Sequence, residues 1–228
     1  LGVAGVAGNG QDELVEAITG LRQPRSGTIT LDGEDVTSDG TRDLHGKNVA
    51  YVPADRHRFG LVLSFPITDN AVLTDYYMEP YSHGVIRDEG AIAKRADEAI
   101  AQYDVRTPAA TVTAGTLSGG NQQKLIVARE FDRELKLLVL DQPTRGLDVG
   151  SIEFIHKQVI DKRDAGTAIL LVSAELDEVL ELSDRIAVMY RGKIVAVVEG
   201  RTANKEEVGL LMATGGRAEG TSSEGATS

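Results

Sequence analysis

The chain has 228 residues, 41% of them hydrophobic, which is enough to bury one full core and indicates one domain or a domain with a lobe. Its 24 Lys and Arg residues against 35 Asp and Glu residues give a net charge of -11 at pH 7, so a surface that neutralises nucleic-acid phosphates is disfavoured. The absence of cysteine excludes disulfides and thiol catalysis, and the longest apolar runs are far shorter than the about 20 residues of a membrane-spanning helix.

The first part of the chain predicts strands that alternate with a glycine loop and a helix. Residues 1–4 form a short apolar strand, glycines follow at 5, 8 and 10, and the apolar positions of residues 14–21 have helical spacing. Two further strands are predicted at 27–31, before an Asp-Gly turn, and at 49–52, before a proline.

Residues 67–132 predict an inserted helical lobe. Apolar side chains recur at helical spacing in its middle, and Pro108 and Gly115 interrupt the pattern before the next helix begins. The predicted inward face of the middle helix contains Ile92, Ala96, Ala99, Ile100 and Tyr103.

Strands and helices alternate again after the lobe. The predicted strands are 136–141, 168–173, 185–190 and 194–198, and the predicted helices are 150–164 and 175–182. This alternation predicts an α/β fold with a mainly parallel sheet wrapped by helices. The last residues are almost all small or polar, so we expect an ordered domain at 1–212 and a disordered tail at 213–228.

A serine followed by two glycines opens a predicted helix within the lobe. Backbone N–H groups at a helix start and a serine hydroxyl can bind a phosphate, and glycine allows a close approach. A glutamine shortly afterwards can add its side-chain amide. The residues of this signature segment are Leu117, Ser118, Gly119, Gly120 and Gln122.

Two acidic residues follow the signature segment at characteristic distances. Asp141 closes the apolar run 137–140, and a carboxylate at that position can hold Mg²⁺ through a water molecule. Asp148 follows in the segment Gly146-Leu147-Asp148.

The glycine loop, residues 5–10, has the spacing and the strand-loop-helix setting of a phosphate-binding loop. Such a loop also needs Lys and then Ser or Thr after its last glycine, for phosphate oxygens and Mg²⁺. Gln11 and Asp12 stand there instead, so a positive charge is lost and a negative charge is gained. The Asp12 carboxylate could ligate Mg²⁺ directly or simply cap the helix, and the cap is the favoured of the two. At about 4 Å and an effective dielectric of about 20, each unit-charge interaction is of order 4 kcal/mol, so tight ATP binding is disfavoured. The candidate nucleotide-binding residues are Gly5, Gly8, Asn9, Gly10, Gln11, Asp12, Glu13 and Asp141.

In order and spacing, these segments resemble the signature, Walker B and D-loop motifs of ATP-binding-cassette (ABC) ATPases. The resemblance implies the P-loop NTPase fold of that family, with ATP and Mg²⁺ as cofactors. It also implies degenerate catalytic positions. Gln142 stands where the family has a glutamate that orients or deprotonates water, and an amide cannot accept a proton. Ala174 stands at the position of the switch histidine, and Ala54 at that of the Q-loop glutamine.

ABC domains work as head-to-tail pairs, so one domain's signature serves the nucleotide held by the other. We therefore expect this chain to complete its partner's site, with Asp148 across the same interface, while its own site is slow or silent. The isolated domain is expected to show little or no turnover.

Over residues 1–212 the chain resembles the second nucleotide-binding domain of fused two-cassette ATPases that energise bacterial monosaccharide and nucleoside importers. The residues that carry this resemblance are 51–53, 55–56, 60–62, 118–124 and 143–150. The first cassette and the strands that precede the glycine loop are absent, and Leu1 is not an initiator methionine, so we expect truncation at the N-terminus.

The same resemblance implies partners and a location. The partners would be the first cassette of the same polypeptide, membrane permease subunits and, indirectly, an extracytoplasmic solute-binding protein, with no nucleic acid. The location would be the cytoplasmic side of the cell membrane. Permease docking would use the helical lobe and the loop after Ala54.

Two other functions stay open. The chain could be a competent ATPase that uses Asp12 and Gln142 in unusual ways, or a non-enzymatic regulatory or interaction module that kept the fold. Soluble ABC proteins of repair or translation are disfavoured by the acidity and by residues 121–123. The histidines His45, His83 and His156 lack the spacing of metal ligands.

Overall fold

The computed structural model of the chain describes residues 1–216. The strands are β1 Gly2–Ala4, β2 Thr30–Leu31, β3 Glu34–Asp35, β4 Val49–Val52, β5 Ser82–His83, β6 Ile86–Arg87, β7 Leu137–Asp141, β8 Ala168–Ser173, β9 Arg185–Tyr190 and β10 Lys193–Glu199. The helices are α1 Gln11–Ile18, α2 Thr41–Gly46, α3 Ile67–Ala71, α4 Glu89–Gln102, α5 Gly119–Phe131, α6 Val149–Asp164, α7 Leu176–Leu182 and α8 Lys205–Thr214.

These elements form two compact units. The terminal unit contains Leu1–Ile18 and, among the described residues, 171–216, and the central unit contains Thr19–Leu170. Parallel strand pairs occur in both units, which confirms the predicted α/β class with mainly parallel pairing. Residues 1–216 contain no helix with the length and hydropathy needed to span a bilayer.

The terminal unit is built on strand β1. Its three residues are all buried, and it pairs in parallel with β8 on one side and with β9 on the other. A strand enclosed in this way is apolar along its whole length rather than alternating, which suits the sequence Gly-Val-Ala. Strand β10 runs antiparallel to β9. The buried core of this unit contains Ala4, Val179, Ile186, Val188, Val208 and Met212.

The central unit contains the parallel pair β4 and β7, in register from Val49 opposite Leu137 to Val52 opposite Leu140. Its longest helices are α4, α5 and α6. Four residues of the predicted inward face of α4 are buried, namely Ile92, Ala96, Ala99 and Tyr103, while Ile100 is partly exposed. The pattern did not reveal Arg95, which is buried on the same helix, where it donates from Nη2 to the carbonyl oxygen of Ala128 at 2.9 Å.

Several element bounds differ from the predictions. The strand predicted at 27–31 is reduced to Thr30–Leu31, and the first helix ends at Ile18, before the half-exposed Leu21. The segment 67–132 is mostly helical but also contains the short hairpin of β5 and β6. That this segment is an inserted lobe, and that 1–212 is one domain, stay predictions.

The predicted tail begins with residues that are helical. Helix α8 continues through Thr214 and ends at Gly215, which has the left-handed backbone that glycine adopts readily and whose N–H donates to the carbonyl oxygen of Leu211. The remainder of the predicted tail, 217–228, lies outside the described residues.

Candidate functional site

The glycine loop connects β1 to α1 in the terminal unit, as predicted. Gly8 and Gly10 have φ angles of +86° and +106°, which side-chain-bearing residues rarely adopt. A Cβ atom on Gly10 would lie 3.0 Å from the Cα of Gly192, so the loop also approaches the turn between β9 and β10 closely. Glycine is therefore required at Gly10 by both backbone angle and space.

The side chain of Gln11 is buried against the glycine loop and bonds to it twice. Its Oε1 accepts from the N–H of Asn9 at 3.0 Å, and its Nε2 donates to the carbonyl oxygen of Val6 at 3.1 Å. Only 6% of the residue is exposed. A backbone N–H of the kind that a phosphate-binding loop offers to its ligand is thus bonded within the loop itself.

Asn9 fixes the loop to the turn between β9 and β10. Its Oδ1 accepts from the N–H of Arg191 at 2.8 Å, and its carbonyl oxygen accepts from the N–H of Gly192 at 2.7 Å. Its Nδ2 donates to the carbonyl oxygen of Val6 at 3.0 Å. Together with the two bonds of Gln11, these contacts connect the loop to its own backbone and to the turn between β9 and β10.

Two exposed carboxylates, those of Asp12 and Glu13, lie in the first turn of α1. Negative charge at a helix N-terminus is favourable for the helix, because the partial charge there is positive. The same charge repels a phosphate at that end. That Asp12 ligates Mg²⁺ stays a hypothesis; within residues 1–216 no group of three or more Asp, Glu or His side chains is arranged to hold a metal ion.

The position predicted for the switch residue lies directly after β8, also in the terminal unit. Ala174 is exposed there, and the hydroxyl oxygen of the preceding Ser173 accepts from the N–H of Glu175 at 3.0 Å. The alanine side chain has no polar group that could contact a phosphate at this strand end.

In the central unit, Asp141 is the last residue of β7 and is 6% exposed. The next residue, Gln142, has a φ of +50°, which is uncommon for a residue with a side chain. Its carbonyl oxygen accepts from the N–H of Arg145 at 3.1 Å, so the chain turns directly after the strand. An acidic residue at the end of a buried strand is the predicted Walker B arrangement.

The signature segment begins helix α5. Ser118 is exposed and caps the helix, its Oγ accepting from the N–H of Asn121 at 3.4 Å and from Asn121 Nδ2 at 2.9 Å. Asn121 is itself held by the N–H of Arg106, which donates to its Oδ1 at 2.8 Å. The serine hydroxyl and the start of the helix thus lie at the surface in a fixed orientation.

Helix α6 begins with a similar cap at the D-loop. Asp148 accepts from the N–H of Ser151 at 3.0 Å and from its hydroxyl at 2.8 Å. These hydrogen bonds hold the pKa of the Asp148 carboxyl below its usual range, because they favour the ionised form.

The signature segment and the D-loop are in contact within the central unit. A Cβ atom on Gly120 would lie 2.3 Å from Ser151 Oγ and 3.1 Å from Asp148 Oδ2. The second glycine of the signature is therefore needed so that the D-loop can pack against it. The sequence predicted both motifs but not this contact.

One predicted role does not fit the structure. Gln122 is 5% exposed, its Nε2 donates to the carbonyl oxygen of Ala114 at 3.3 Å, and its Oε1 accepts from His57 Nε2 at 2.9 Å. The side chain is directed into the protein because helix α5 is buried on nearly all sides. It holds the loop after β4 instead of offering an amide to a phosphate.

The loop after β4 forms a π-helical turn over Arg56–Gly60. Asp55 caps this turn, its Oδ1 accepting from the N–H groups of His57 and Arg58, each at 3.0 Å. Arg56 Nη1 donates to the carbonyl oxygen of Arg145 at 3.2 Å. The sequence placed Arg56 in a segment that carries the family resemblance and in a docking loop, but it did not predict this bond to Arg145.

A cavity of about 320 Å³ opens beside this loop in the central unit. Three aromatic side chains on its wall are partly exposed, Phe59 at 58%, Tyr76 at 47% and Tyr77 at 36%. Arg129 and Glu130 also line it and form a buried ion pair at 2.8 Å.

The glycine loop, the acidic strand end, the signature and the D-loop, carried on an α/β fold, define an ATP-binding cassette. The chain belongs to the ABC transporter family, whose model matches residues 1–145. The fold matches the dimeric structure of the ATP-binding cassette MJ0796 bound to ADP and Pi with a TM-score of 0.72, at 22% sequence identity over 89% of this chain and 85% of that one.

Two relatives are ATP-binding proteins of nucleoside importers. The chain is 52% identical over 213 residues to the guanosine import ATP-binding protein NupO of Bacillus subtilis, covering 93% of this chain and 42% of NupO. It is 50% identical over 215 residues to the nucleoside import ATP-binding protein NupA of Lactococcus lactis, covering 94% of this chain and 42% of NupA. The chain thus spans less than half the length of these relatives.

Proposed function

We propose that the chain is one cassette of the ATPase pair that drives an ABC importer, and that it serves the nucleotide of the other cassette. Its signature supplies the Ser118 hydroxyl and the N–H groups at the start of α5, while its own glycine loop binds nucleotide weakly. The observation that carries this proposal is Gln11, whose buried side chain bonds to the loop where a ligand's phosphate would compete for the same N–H.

Charge supports the same asymmetry. A phosphate at the glycine loop would meet Asp12 and Glu13 at the start of α1 and would lack the lysine that such loops use. A phosphate at the signature would meet a serine and the N-terminus of a helix without an acidic residue in its first turn. At the chain's own nucleotide site, Gln142 in place of a general base would slow hydrolysis further, typically by a factor of about 10² to 10⁴.

We propose nucleosides as the solute class, because the relatives NupO and NupA are named for guanosine and nucleoside import. Monosaccharides are the alternative from the family resemblance. The solute itself would be selected by the permease and by an extracytoplasmic binding protein. The partners in the assembly are then a first cassette and permease subunits at the cytoplasmic side of the membrane.

The aromatic cavity of the central unit is the surface that we assign to the permease. It joins the loop after β4 to the predicted lobe, and the exposed rings of Phe59, Tyr76 and Tyr77 can bury apolar area against a partner. Replacing Tyr76 with Asp should weaken co-purification with the permease subunits. Leu210 is 62% exposed on helix α8 and does not line this cavity, so Leu210→Asp serves as a control.

The decisive test of the proposal is Ser118→Arg in the assembled transporter. A long cationic side chain at the surface of the signature would block the close approach of a partner-bound nucleotide, so hydrolysis and transport should be abolished. Ser26→Arg introduces the same side chain at an exposed serine outside the signature and should leave both activities unchanged.

Two outcomes favour the alternatives. Unchanged hydrolysis with Ser118→Arg would contradict the signature role. A competent ATPase would be favoured if the chain without a partner hydrolysed several ATP per second and lost this activity on replacing Asp12 or Gln142. A non-enzymatic module would be favoured if the chain never paired with a second cassette in the presence of Mg²⁺-ATP.

A further inference from the structure

Arg56 lies between the signature and the D-loop. Its Nη2 is 3.0 Å from the place that a Cβ on Gly119 would occupy, so the guanidinium lies directly against the signature backbone. Its Nη1 donates to the carbonyl oxygen of Arg145, just before the D-loop. The absence of a side chain at Gly119 leaves the room that this guanidinium occupies.

Most N–H groups of the Arg56 guanidinium have no hydrogen-bond partner among residues 1–216. Of its five N–H groups, one has a partner in the bond to Arg145, and its Nε is buried without a hydrogen-bond partner among residues 1–216. The ion pairs found within the described part of the chain do not include Arg56. The adjacent carboxylate, Asp55, directs Oδ1 to the N–H groups of His57 and Arg58. The positive charge of Arg56 is therefore not neutralised by an ion pair within the described part of the chain.

A cavity of about 350 Å³ opens at this charge. Its lining consists of Ala54, Asp55, Arg56, His57, Arg145 and Gly146. Two arginines at one cavity are notable in a chain of net charge -11, and both belong to segments that adjoin the signature and the D-loop.

We propose that Arg56 binds the terminal phosphate of the nucleotide that the signature serves. This inference rests on the proposed function and adds a residue to it. Gln122 is directed away from this face, so the Ser118 hydroxyl and the N–H groups at the start of α5 are neutral donors, and Arg56 would add a charged one. A guanidinium remains charged at all physiological pH values and presents its N–H groups in a planar fork that matches phosphate oxygens.

The test uses the assembled two-cassette protein and measures its affinity for Mg²⁺-ATP and Mg²⁺-ADP. Arg56→Gln should weaken ATP binding about tenfold, the loss of one charge-assisted hydrogen bond, and leave ADP binding unchanged. Arg56→Lys keeps the charge without the fork and should give an intermediate loss for ATP. Arg58→Gln is the control, because Arg58 belongs to the same turn but is exposed and lies over the ring of Phe59.

The ATP-to-ADP comparison separates binding from structure. Two results would overturn the proposal in favour of a structural role for Arg56. One is an equal loss of affinity for ATP and ADP in Arg56→Gln. The other is a loss of ATP affinity together with a thermal unfolding midpoint below that of Arg58→Gln. If Arg56→Gln behaves like Arg58→Gln while Ser118→Arg abolishes hydrolysis, the inference fails and the signature function stands. If neither Arg56→Gln nor Ser118→Arg has an effect, both fail.

Discussion

The contact between the signature and the D-loop makes a strong prediction for Gly120→Ala. The added Cβ would lie 2.3 Å from Ser151 Oγ, a distance at which one of the two must move. Ser151 is 8% exposed and its hydroxyl is bonded to Asp148, so it cannot rotate away without losing that bond. Overpacking of this kind costs about 1–3 kcal/mol, partly offset by about 0.5–1 kcal/mol that alanine gains over glycine in a helix. We expect a net destabilisation of about 1–2 kcal/mol.

A double-mutant cycle with Ser151→Ala tests the cause of that loss. Ser151→Ala alone removes one hydrogen bond and should cost about 1 kcal/mol. It also removes the atom that the new Cβ meets, so the double variant should be more stable than the sum of the single effects by about 1 kcal/mol or more. The measurement is urea unfolding of the wild type, the two single variants and the double variant.

Gly150→Ala is the matched control, because its Cβ would meet Asp148 Oδ1 at an ordinary 3.5 Å, and it should not be destabilising. Additivity of the Gly120 and Ser151 effects to within about 0.3–0.5 kcal/mol would refute the contact on which the reasoning depends.

Three further predictions concern single side chains. Gln11→Ala should lower the free energy of unfolding by about 1–2 kcal/mol in urea unfolding, because two hydrogen bonds to the glycine loop are lost, whereas no change would mean that the loop does not depend on Gln11. The pKa of Asp148 is lower in the folded state, so the contribution of this carboxylate to stability is present at neutral pH and is lost as the pH falls below about 4 through the folded pKa. Asp148→Asn should therefore reduce the acid dependence of the melting temperature. An unaltered pH profile in that variant would contradict this prediction. Arg129→Met leaves Glu130 buried without its ion-pair partner and should cost about 3–5 kcal/mol in the same unfolding assay, and adding Glu130→Gln should recover part of that loss.

The sequence predicted the order of the elements and the positions of the motifs well. Strand β9 has its predicted bounds, the glycine loop lies between β1 and α1 as predicted, and α5 begins directly after Ser118. These features follow from local patterns of apolar residues, glycines and caps, which act over a few residues.

Features that depend on distant contacts were not predictable in this way. The Gln122 side chain is directed into the protein because α5 is buried on nearly all sides. On such a helix the spacing of apolar residues does not distinguish an inward face from an outward one, so the sequence did not predict this direction. The placement of Arg56 depends on a π-helical turn and on Arg145, 89 residues away. The hairpin of β5 and β6 has only two residues in each strand, and so short a strand has no recognisable alternation of apolar and polar residues.

The asymmetry between the two nucleotide-binding surfaces is tested most directly by locating the nucleotide. The assembled transporter would be trapped with Mg²⁺ and a photoreactive ATP analogue, and the labelled peptides would be identified by mass spectrometry. Because Gln11 is bonded to its own loop, we expect the label on the glycine loop of the partner cassette and little or none on residues 5–13. The label on the partner should be lost in Ser118→Arg. Strong label on residues 5–13, equal to that on the partner and unaffected by Ser118→Arg, would contradict the claim that this chain serves its partner's nucleotide and not its own.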